Sequence, residues 1–237
     1  MRILAFDTAT RASTVALSGV GEVVFTARDD PRPGERPGHA TRLLPLAAAV
    51  LERAGIGWNG VDRIAVGVGP GTFTGLRIGV ATARALARAG GIPLVGVSTL
   101  HSLALAGPAA TQVRSRLDTV LAVIDARRGE VFAASWRIGE VEDFEAALLL
   151  PRAFAPEMLA DLVTPLGPTM LAIGDGAIAF REALERSGAF IPDDDSQLHR
   201  VTATNHCTLA GGLQTSSPDE VRPDYLRAPD AEMAHRS

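Results

Sequence analysis

The segment Gly67-Val68-Gly69-Pro70-Gly71-Thr72-Phe73-Thr74-Gly75-Leu76-Arg77-Ile78-Gly79 decides the fold of this chain. It follows an apolar run at residues 64–66 and precedes a helical stretch that ends at Gly90-Gly91, so it predicts a strand, a glycine-rich turn and a helix. Thr74 is the expected N-cap of that helix. Such a turn directs backbone N–H groups outward and suits an anion, but a tight strand-to-helix connection without a ligand fits the pattern equally well.

Two common phosphate-binding loops are excluded by this segment. The chain contains no lysine, so the Gly-x-x-x-x-Gly-Lys-Ser/Thr loop cannot occur in it. Thr72 holds the place of the third glycine of the dinucleotide fingerprint, so that pattern fails as well. Any phosphate site here would therefore be of another type.

Composition describes an ordinary globular chain of 237 residues, with 46% apolar and 21% charged side chains. This length allows one large or two small domains. The net charge of −4 disfavours direct, independent binding of RNA or DNA. A single cysteine, Cys207, fits a reducing compartment, and Asp7 comes too early for a signal peptide. With no apolar run near the roughly 20 residues of a membrane span, we expect a cytoplasmic protein without membrane association.

The order of predicted elements indicates an α/β fold of two similar halves. In the first half, strands are predicted at 3–7, 14–18, 22–27, 63–68 and 93–97, and helices at 40–54, after Thr74 to residue 89, and at 98–106. In the second half, strands are predicted at 119–125, 130–138 and 170–173, and helices at 157–162, 177–187 and 205–213. We expect residues 1–106 to form the first lobe, 107–215 the second, more variable lobe, and 216–237 a polar C-terminal tail.

Polar side chains cluster where the first strand ends. The cluster consists of Asp7, Thr8, Thr10 and Ser13. A carboxylate with hydroxyls could hold hydrated Mg²⁺ and nucleotide phosphates. The same residues could instead satisfy the backbone of the turn. Both interpretations stay open at this point.

The helix after Thr74 carries a row of small residues four apart. The row consists of Gly75, Gly79, Ala83 and Ala87. Glycine inside a helix costs about 0.5–1 kcal/mol relative to alanine, so a closely approaching backbone should offset Gly79. That backbone belongs either to this chain or to a partner. A second stripe, Arg77, Arg84 and Arg88, is either solvated or set against a partner's acidic rim.

Local motifs for metal or nucleophilic chemistry are missing. None of the five histidines has another histidine four residues away, and no Gly-x-Ser-x-Gly elbow occurs. A metallopeptidase is therefore the weakest alternative. Arg127-Arg128, between two predicted strands, is either an exposed turn or a phosphate contact.

Four segments together resemble the bacterial TsaB family, also called YeaZ. They are residues 3–8, the block from Gly69 to Gly79, Ile124-Asp125-Ala126-Arg127-Arg128, and Pro223-Asp224-Tyr225-Leu226-Arg227. The resemblance covers nearly the whole chain and thins over residues 150–218. Thr72 stands where that family usually has serine, which keeps the hydroxyl.

The resemblance implies the two-lobed fold of actin, Hsp70 and sugar kinases. It implies a non-catalytic scaffold and dimerisation subunit of the complex that attaches threonylcarbamoyl to the tRNA adenosine beside the anticodon. The catalytic relative, TsaD, carries a His-x-x-x-His motif that is missing here. Implied partners are a TsaD-type subunit and a TsaE-type ATPase, with a homodimer when the chain is alone and tRNA met only through the complex. No cofactor is implied beyond a weak or interface-shared nucleotide.

The resemblance also favours a partner for the small-residue row. The implied interface residues are Leu43, Leu46, Val50, Gly75, Arg77, Gly79 and Ala83. A vestigial nucleotide site would use Asp7, Thr8, Thr10, Gly69, Gly71 and Thr72. The alternative function is a free-standing ATPase or phosphotransferase that uses Asp7 and the glycine-rich turns at 69–71 and 174–176.

Overall fold

The computed structural model describes residues 1–226 except residues 33, 113 and 165–168, and without the side chains of residues 160 and 162. The chain divides into two compact units. The first consists of Met1–Ser102 and Val201–Asp224, and the second of Leu103–Arg200 with Tyr225 and Leu226. This division differs from the expected one, which gave residues 107–215 to the second lobe and 216–237 to a tail. Residues 227–237, including Arg227 of the last family segment, lie outside the described residues.

The elements follow one another along both units. The strands are β1 (Ile3–Asp7), β2 (Ser13–Val20), β3 (Val23–Asp29), β4 (Arg63–Gly69), β5 (Leu94–Ser98), β6 (Thr119–Arg127), β7 (Glu130–Arg137), β8 (Leu149–Phe154) and β9 (Met170–Ile173). The α-helices are α1 (His39–Arg53), α2 (Phe73–Gly90), α3 (Thr99–Ala104), α4 (Gly107–Ala110), α5 (Pro156–Val163), α6 (Asp175–Ala179), α7 (Arg181–Arg186) and α8 (Ala203–Gly212). Most lie within a few residues of their predicted bounds.

The first unit is built on a five-stranded mixed sheet in the order β3-β2-β1-β4-β5. β2 runs antiparallel to β1 and β3, whereas β4 and β5 run parallel to β1. Leu4 and Phe6 join a core with α1 and α2, while Asp7 meets α8. Because alternate residues of a strand face opposite sides, α8 covers the other face of the sheet. A central strand covered on both faces explains why β1 is buried throughout.

Residues 201–224 belong to this first unit because they return to its sheet. α8 packs on β1 and β2. Beyond α8, the Ser216 N–H donates to the Leu94 carbonyl at the β5 edge (2.9 Å), and the Asp224 N–H donates to the Val68 carbonyl (2.7 Å). Val221 is buried in the same core as α1 and α2. The polar composition of this segment gave no sign of these long-range contacts.

The start of α2 differs from the prediction. Thr72 has an extended backbone and its carbonyl accepts from the Leu76 N–H at 3.0 Å, so Thr72 rather than Thr74 is the N-cap. The Gly69-Pro70 peptide bond just before it is cis. At the other end Gly91 is left-handed, with φ of 61°, which confirms the predicted glycine stop.

The second unit repeats the pattern with a four-stranded sheet in the order β8-β7-β6-β9. β7 is antiparallel to β6 and β8, and β9 is parallel to β6. The repeated arrangement confirms the predicted actin, Hsp70 and sugar-kinase type of fold. The sequence analysis missed β8, which contains Pro151. It also merged α6 and α7, which Phe180 separates, and began the last helix at residue 205, whereas α8 begins at Ala203 after its N-cap Thr202.

Within the described residues, none of the helices combines the length and the apolarity that a bilayer crossing requires.

Candidate functional site

The candidate site centres on Asp7, whose side chain is buried at the end of β1. The Ala9 N–H donates to its Oδ1 at 2.7 Å, and the Thr99 hydroxyl donates to its Oδ2 at 2.8 Å. His206 of α8 brings Nε2 to 3.0 Å from the same Oδ2, an ion-pair distance without the alignment of a regular hydrogen bond. The chain itself therefore supplies partners to both carboxylate oxygens.

Burial alone would raise the pKa of Asp7. The contact with His206, its charge, the Ala9 N–H and the Thr99 hydroxyl together outweigh that penalty and hold the pKa below its ordinary value. Asp7 is therefore a carboxylate stabilised in the interior by its own chain.

The other ring nitrogen of His206 continues this network. His206 Nδ1 lies 2.7 Å from the Ser102 hydroxyl and 3.1 Å from the Thr202 carbonyl oxygen. Ser102 and His206 have no exposed surface, so the serine hydroxyl is closed off from solvent. Sequence reasoning missed Thr99, Ser102 and His206 because no local spacing links residues that are about a hundred or more positions apart.

The glycines of the signature segment make room for the β1–β2 turn. A Cβ at Gly67 would overlap the Asp7 carboxylate, and a Cβ at Gly71 would overlap the Ala9 carbonyl. A Cβ at Gly75 would overlap the Thr8 carbonyl oxygen. Close approach of the chain's own atoms, a side-chain carboxylate at Gly67 and backbone carbonyls at Gly71 and Gly75, accounts for these glycines.

Hydrogen bonds fasten the same turn to α2. The Thr8 hydroxyl donates to the Gly75 carbonyl at 2.7 Å, and the Thr72 N–H donates to the Ala9 carbonyl at 2.7 Å. Gly79 also faces Thr8, because a Cβ there would overlap the Thr8 hydroxyl. The structure thus brings together most of the predicted nucleotide-site residues, but they hydrogen-bond to and pack against one another.

The remaining residues that were predicted for this strand end are buried or half-buried. Gly69, at φ of 115°, is buried, and Thr10 is half-buried. The Ser13 hydroxyl lies 2.8 Å from His39 Nδ1 at the start of α1. Burial lowers the pKa of His39, against the raising effects of the Asp7 and Asp29 charges and of the Thr10 backbone. His39 is therefore favoured in its neutral form.

The predicted partner interface needs correction. Five of its seven members are buried inside the first unit: Leu43, Val50, Gly75, Gly79 and Ala83. The helix presents Gly75 and Gly79 to the chain's own β1–β2 turn, where a larger side chain would overlap Thr8, and places Ala83 in the apolar core. Leu46 is half-buried, and Arg77 is exposed with its guanidinium 3.8 Å above the Phe73 ring.

The arginine stripe of α2 is also engaged within the chain. Arg84 Nη2 contacts Asp219 Oδ1 at 2.7 Å, and Arg88 Nη2 contacts the same oxygen. These contacts lower the pKa of Asp219, with the hydrogen bond from Arg84 and the charge of Arg88 as the main causes. Asp219 follows Ser216, which pairs with the β5 edge, so this stripe lies on the β5 side of α2.

The exposed apolar surface of α1 and α2 lies elsewhere. Arg42 approaches Asp29, and Arg53 donates to the Thr26 carbonyl, so both lie on the β3 side of α1. Since β3 and β5 are opposite edges of the sheet, the remaining sides of the two helices face one another and the solvent. We call this surface the outer face. It consists of Leu44, Ala48, Ala81 and Ala85, which are exposed, and Ile78, which is half-buried.

In the second unit, the end of β6 corresponds to the end of β1, and it too is occupied by the chain's own groups. Asp175 accepts from the Asp125 N–H at 3.0 Å, and Arg127 Nη1 lies 2.9 Å from Asp125 Oδ2. Burial raises the pKa of Asp175. A Cβ at Gly174 would overlap the Val123 carbonyl, so this turn too packs on its own sheet. No three His, Cys, Asp or Glu side chains among the described residues are placed to share a metal ion.

Comparisons with known proteins address the whole chain. A family model described as "TsaD: tRNA N6-adenosine threonylcarbamoyltransferase" matches residues 35–170. The chain is 33% identical to the tRNA threonylcarbamoyladenosine biosynthesis protein TsaB of Escherichia coli (strain K12), over 96% of this chain and 95% of that protein. It is 27% identical to the Bacillus subtilis (strain 168) protein of the same name, over 98% and 96%.

A solved structure agrees with these relatives. The structure described as YeaZ from Pseudomonas aeruginosa superposes with a TM-score of 0.74 at 28% identity, covering 95% of this chain and 99% of that chain. The two TsaB proteins and the YeaZ structure thus match this chain along nearly their full length, whereas the TsaD model matches residues 35–170. The chain belongs to the TsaB (YeaZ) family.

Proposed function

We propose that this chain is the non-catalytic subunit that binds and supports a TsaD-type catalytic subunit in threonylcarbamoyl transfer to the tRNA adenosine beside the anticodon. A role in threonylcarbamoyladenosine biosynthesis is supported by the names of its full-length relatives. Kinship with the proposed partner is supported by the TsaD description of the matching family model. Two chains of related fold can associate through related helices.

The observation that carries the proposal is the contrast between the outer face and the end of β1. At the end of β1, Asp7 and Thr8 are buried and hydrogen-bonded within the chain. On the outer face, Leu44 keeps 47% of its surface exposed beside a run of exposed alanines. Flat apolar helix faces suit association with another helix pair. This contrast favours a binding role over the alternative of an ATPase or phosphotransferase centred on Asp7.

The other parts of the proposal follow from the family. A TsaE-type ATPase would join the complex, tRNA would be met only through it, and a nucleotide would bind weakly or at a shared interface. A homodimer would form when the partner is absent. We also propose a cytoplasmic location, where the tRNA and the other subunits are present.

The proposal is tested by co-purification with the TsaD-type subunit of the same genome. Ala81→Arg places a long charged side chain at the centre of the outer face and should abolish the complex on size-exclusion chromatography. Ala109→Arg is the matched control, because Ala109 is an exposed helical alanine of the second unit. Both variants should keep the wild-type circular dichroism spectrum. A complex that survives Ala81→Arg would refute docking through this face.

A second measurement tests the absence of catalysis. The purified wild-type chain should show no Mg²⁺-dependent ATP hydrolysis above that of a mock purification. Hydrolysis that is present in the wild type and lost in a folded Asp7→Asn variant would overturn the non-catalytic part of the proposal.

A further inference from the structure

The two helices that carry the outer face are strongly basic. α1 contains Arg42 and Arg53 with one acid, Glu52. α2 contains Arg77, Arg84 and Arg88 and no acid. The pair therefore carries five arginines against one glutamate. The whole chain, by contrast, has a net charge of −4, so this basic character is local.

Acids from elsewhere in the first unit contact three of these arginines. Asp219 Oδ1 is shared by Arg84 and Arg88, so one carboxylate serves two guanidinium groups. Asp29 Oδ1 lies 3.9 Å from Arg42 Nε. Asp219 is 70% exposed, and such a solvent-exposed pair exchanges partners easily.

Asp219 is nevertheless held in place and is part of this surface. The Ser217 N–H donates to Glu220 Oε2 at 2.8 Å, and the Glu220 N–H donates to the Ser217 carbonyl at 3.0 Å. On one side of this turn Ser216 is paired with Leu94, and on the other Val221 is buried in the core. The turn therefore presents its carboxylate to the last turns of α2.

The five arginines of α1 and α2 form what we call the basic border of the outer face: Arg42, Arg53, Arg77, Arg84 and Arg88. We propose that this basic border selects a partner whose contact face carries carboxylates around an apolar centre, in preference to a second copy of this chain. The inference rests on the proposed function and names the chemistry of the partner's surface. Two copies meeting through their outer faces would bring arginines toward arginines, which opposes association. An acidic partner would instead be attracted during encounter, and its carboxylates would share Arg84 and Arg88 with Asp219.

Salt dependence distinguishes the two kinds of association. The full chain and its TsaD-type subunit are mixed by stopped flow at 50 and 500 mM NaCl, and self-association is followed by sedimentation. Screening should lower the association rate with the partner by about tenfold, because attraction across the border is lost. Self-association should stay unchanged or strengthen with salt. A partner association rate that is flat or rises with salt, or a homodimer tighter than the heterodimer at 50 mM, would overturn the inference.

Charge variants locate the effect. Arg84→Glu with Arg88→Glu should slow partner association by about tenfold or more, whereas Asp219→Asn should speed it about two- to threefold. Arg137→Glu is the control, because it changes an exposed arginine of the second unit and should leave the rate unchanged. Slower association of Asp219→Asn would show that Asp219 supports α2 rather than competing with a partner, and would refute the inference.

The outcome also separates this inference from the proposed function. Folded subunits that fail to associate at any salt concentration would refute the proposed function. Wild-type association that Ala81→Arg abolishes, but that does not respond to salt, would leave the proposed function standing and refute only the acidic partner.

Discussion

The signature glycines should be irreplaceable for a packing reason, and Gly75→Ala tests this most sharply. A Cβ at Gly75 would overlap the Thr8 carbonyl oxygen and crowd the Thr72 hydroxyl. Alanine gains about 0.5–1 kcal/mol in a helix interior. Overpacking typically costs about 1–3 kcal/mol. We expect about 3 kcal/mol here, because a backbone carbonyl cannot rotate away. The variant should therefore be about 2 kcal/mol less stable than the wild type.

Gly211→Ala is the matched control for this change. Gly211 is also a helical glycine near a helix end, the next-to-last residue of α8, but a Cβ there would meet nothing within 4 Å. Alanine there should therefore stabilise the protein slightly, by less than the roughly 0.5–1 kcal/mol of a mid-helix glycine. For a chain of this length, Gly75→Ala should lower the melting temperature by about 4–8 °C, while Gly211→Ala should raise it slightly. If Gly75→Ala is as stable as the wild type, the glycines do not serve to admit the β1–β2 turn.

Three further results are expected. His206→Ala leaves the Asp7 carboxylate buried without its neighbour and should lower the free energy of unfolding, measured in urea, by about 3–5 kcal/mol. Arg2→Ala, at an exposed ion pair, should lower it by less than about 1 kcal/mol. Equal losses for the two variants would contradict the buried network. The pKa of His39 is lowered in the fold, so the unfolded chain binds a proton at a higher pH than the folded chain, and stability should fall as the pH drops below about 6.5. His39→Gln should make this fall shallower. An unchanged slope would contradict a neutral, buried His39. Burial raises the pKa of Cys207 to about 11, so a thiol reagent at pH 8 should modify it slowly in the native protein and rapidly in urea; equal rates would refute its burial.

Much of the fold could be predicted from local patterns. The apolar run that ends at Asp7, the glycine-rich block and the Gly90-Gly91 stop each mark a boundary within a few residues, because strand burial, turn chemistry and helix capping act locally. The two similar halves that the order of predicted elements indicated correspond to the two sheets of the structure. The start of α2 was placed two residues late, because both Thr72 and Thr74 are good capping residues.

The candidate site was less predictable because its contacts are long-range. Sequence spacing correctly placed Gly75 and Gly79 on one face of a helix and indicated a close neighbour. It could not show that the neighbour is Thr8, so the resemblance to a family of partner subunits favoured an intermolecular contact. His206 and Asp219 come from a segment that returns to the first sheet, and nothing in its polar composition indicated that return.

Hydrogen exchange of the chain with and without its TsaD-type subunit tests the central claim most directly. Backbone amides of α1 and α2 that lie under the outer face should exchange several-fold more slowly in the complex, while those of the second unit's β8 should not change. Complex formation with no added protection in α1 and α2, or with protection confined to the second unit, would contradict the account.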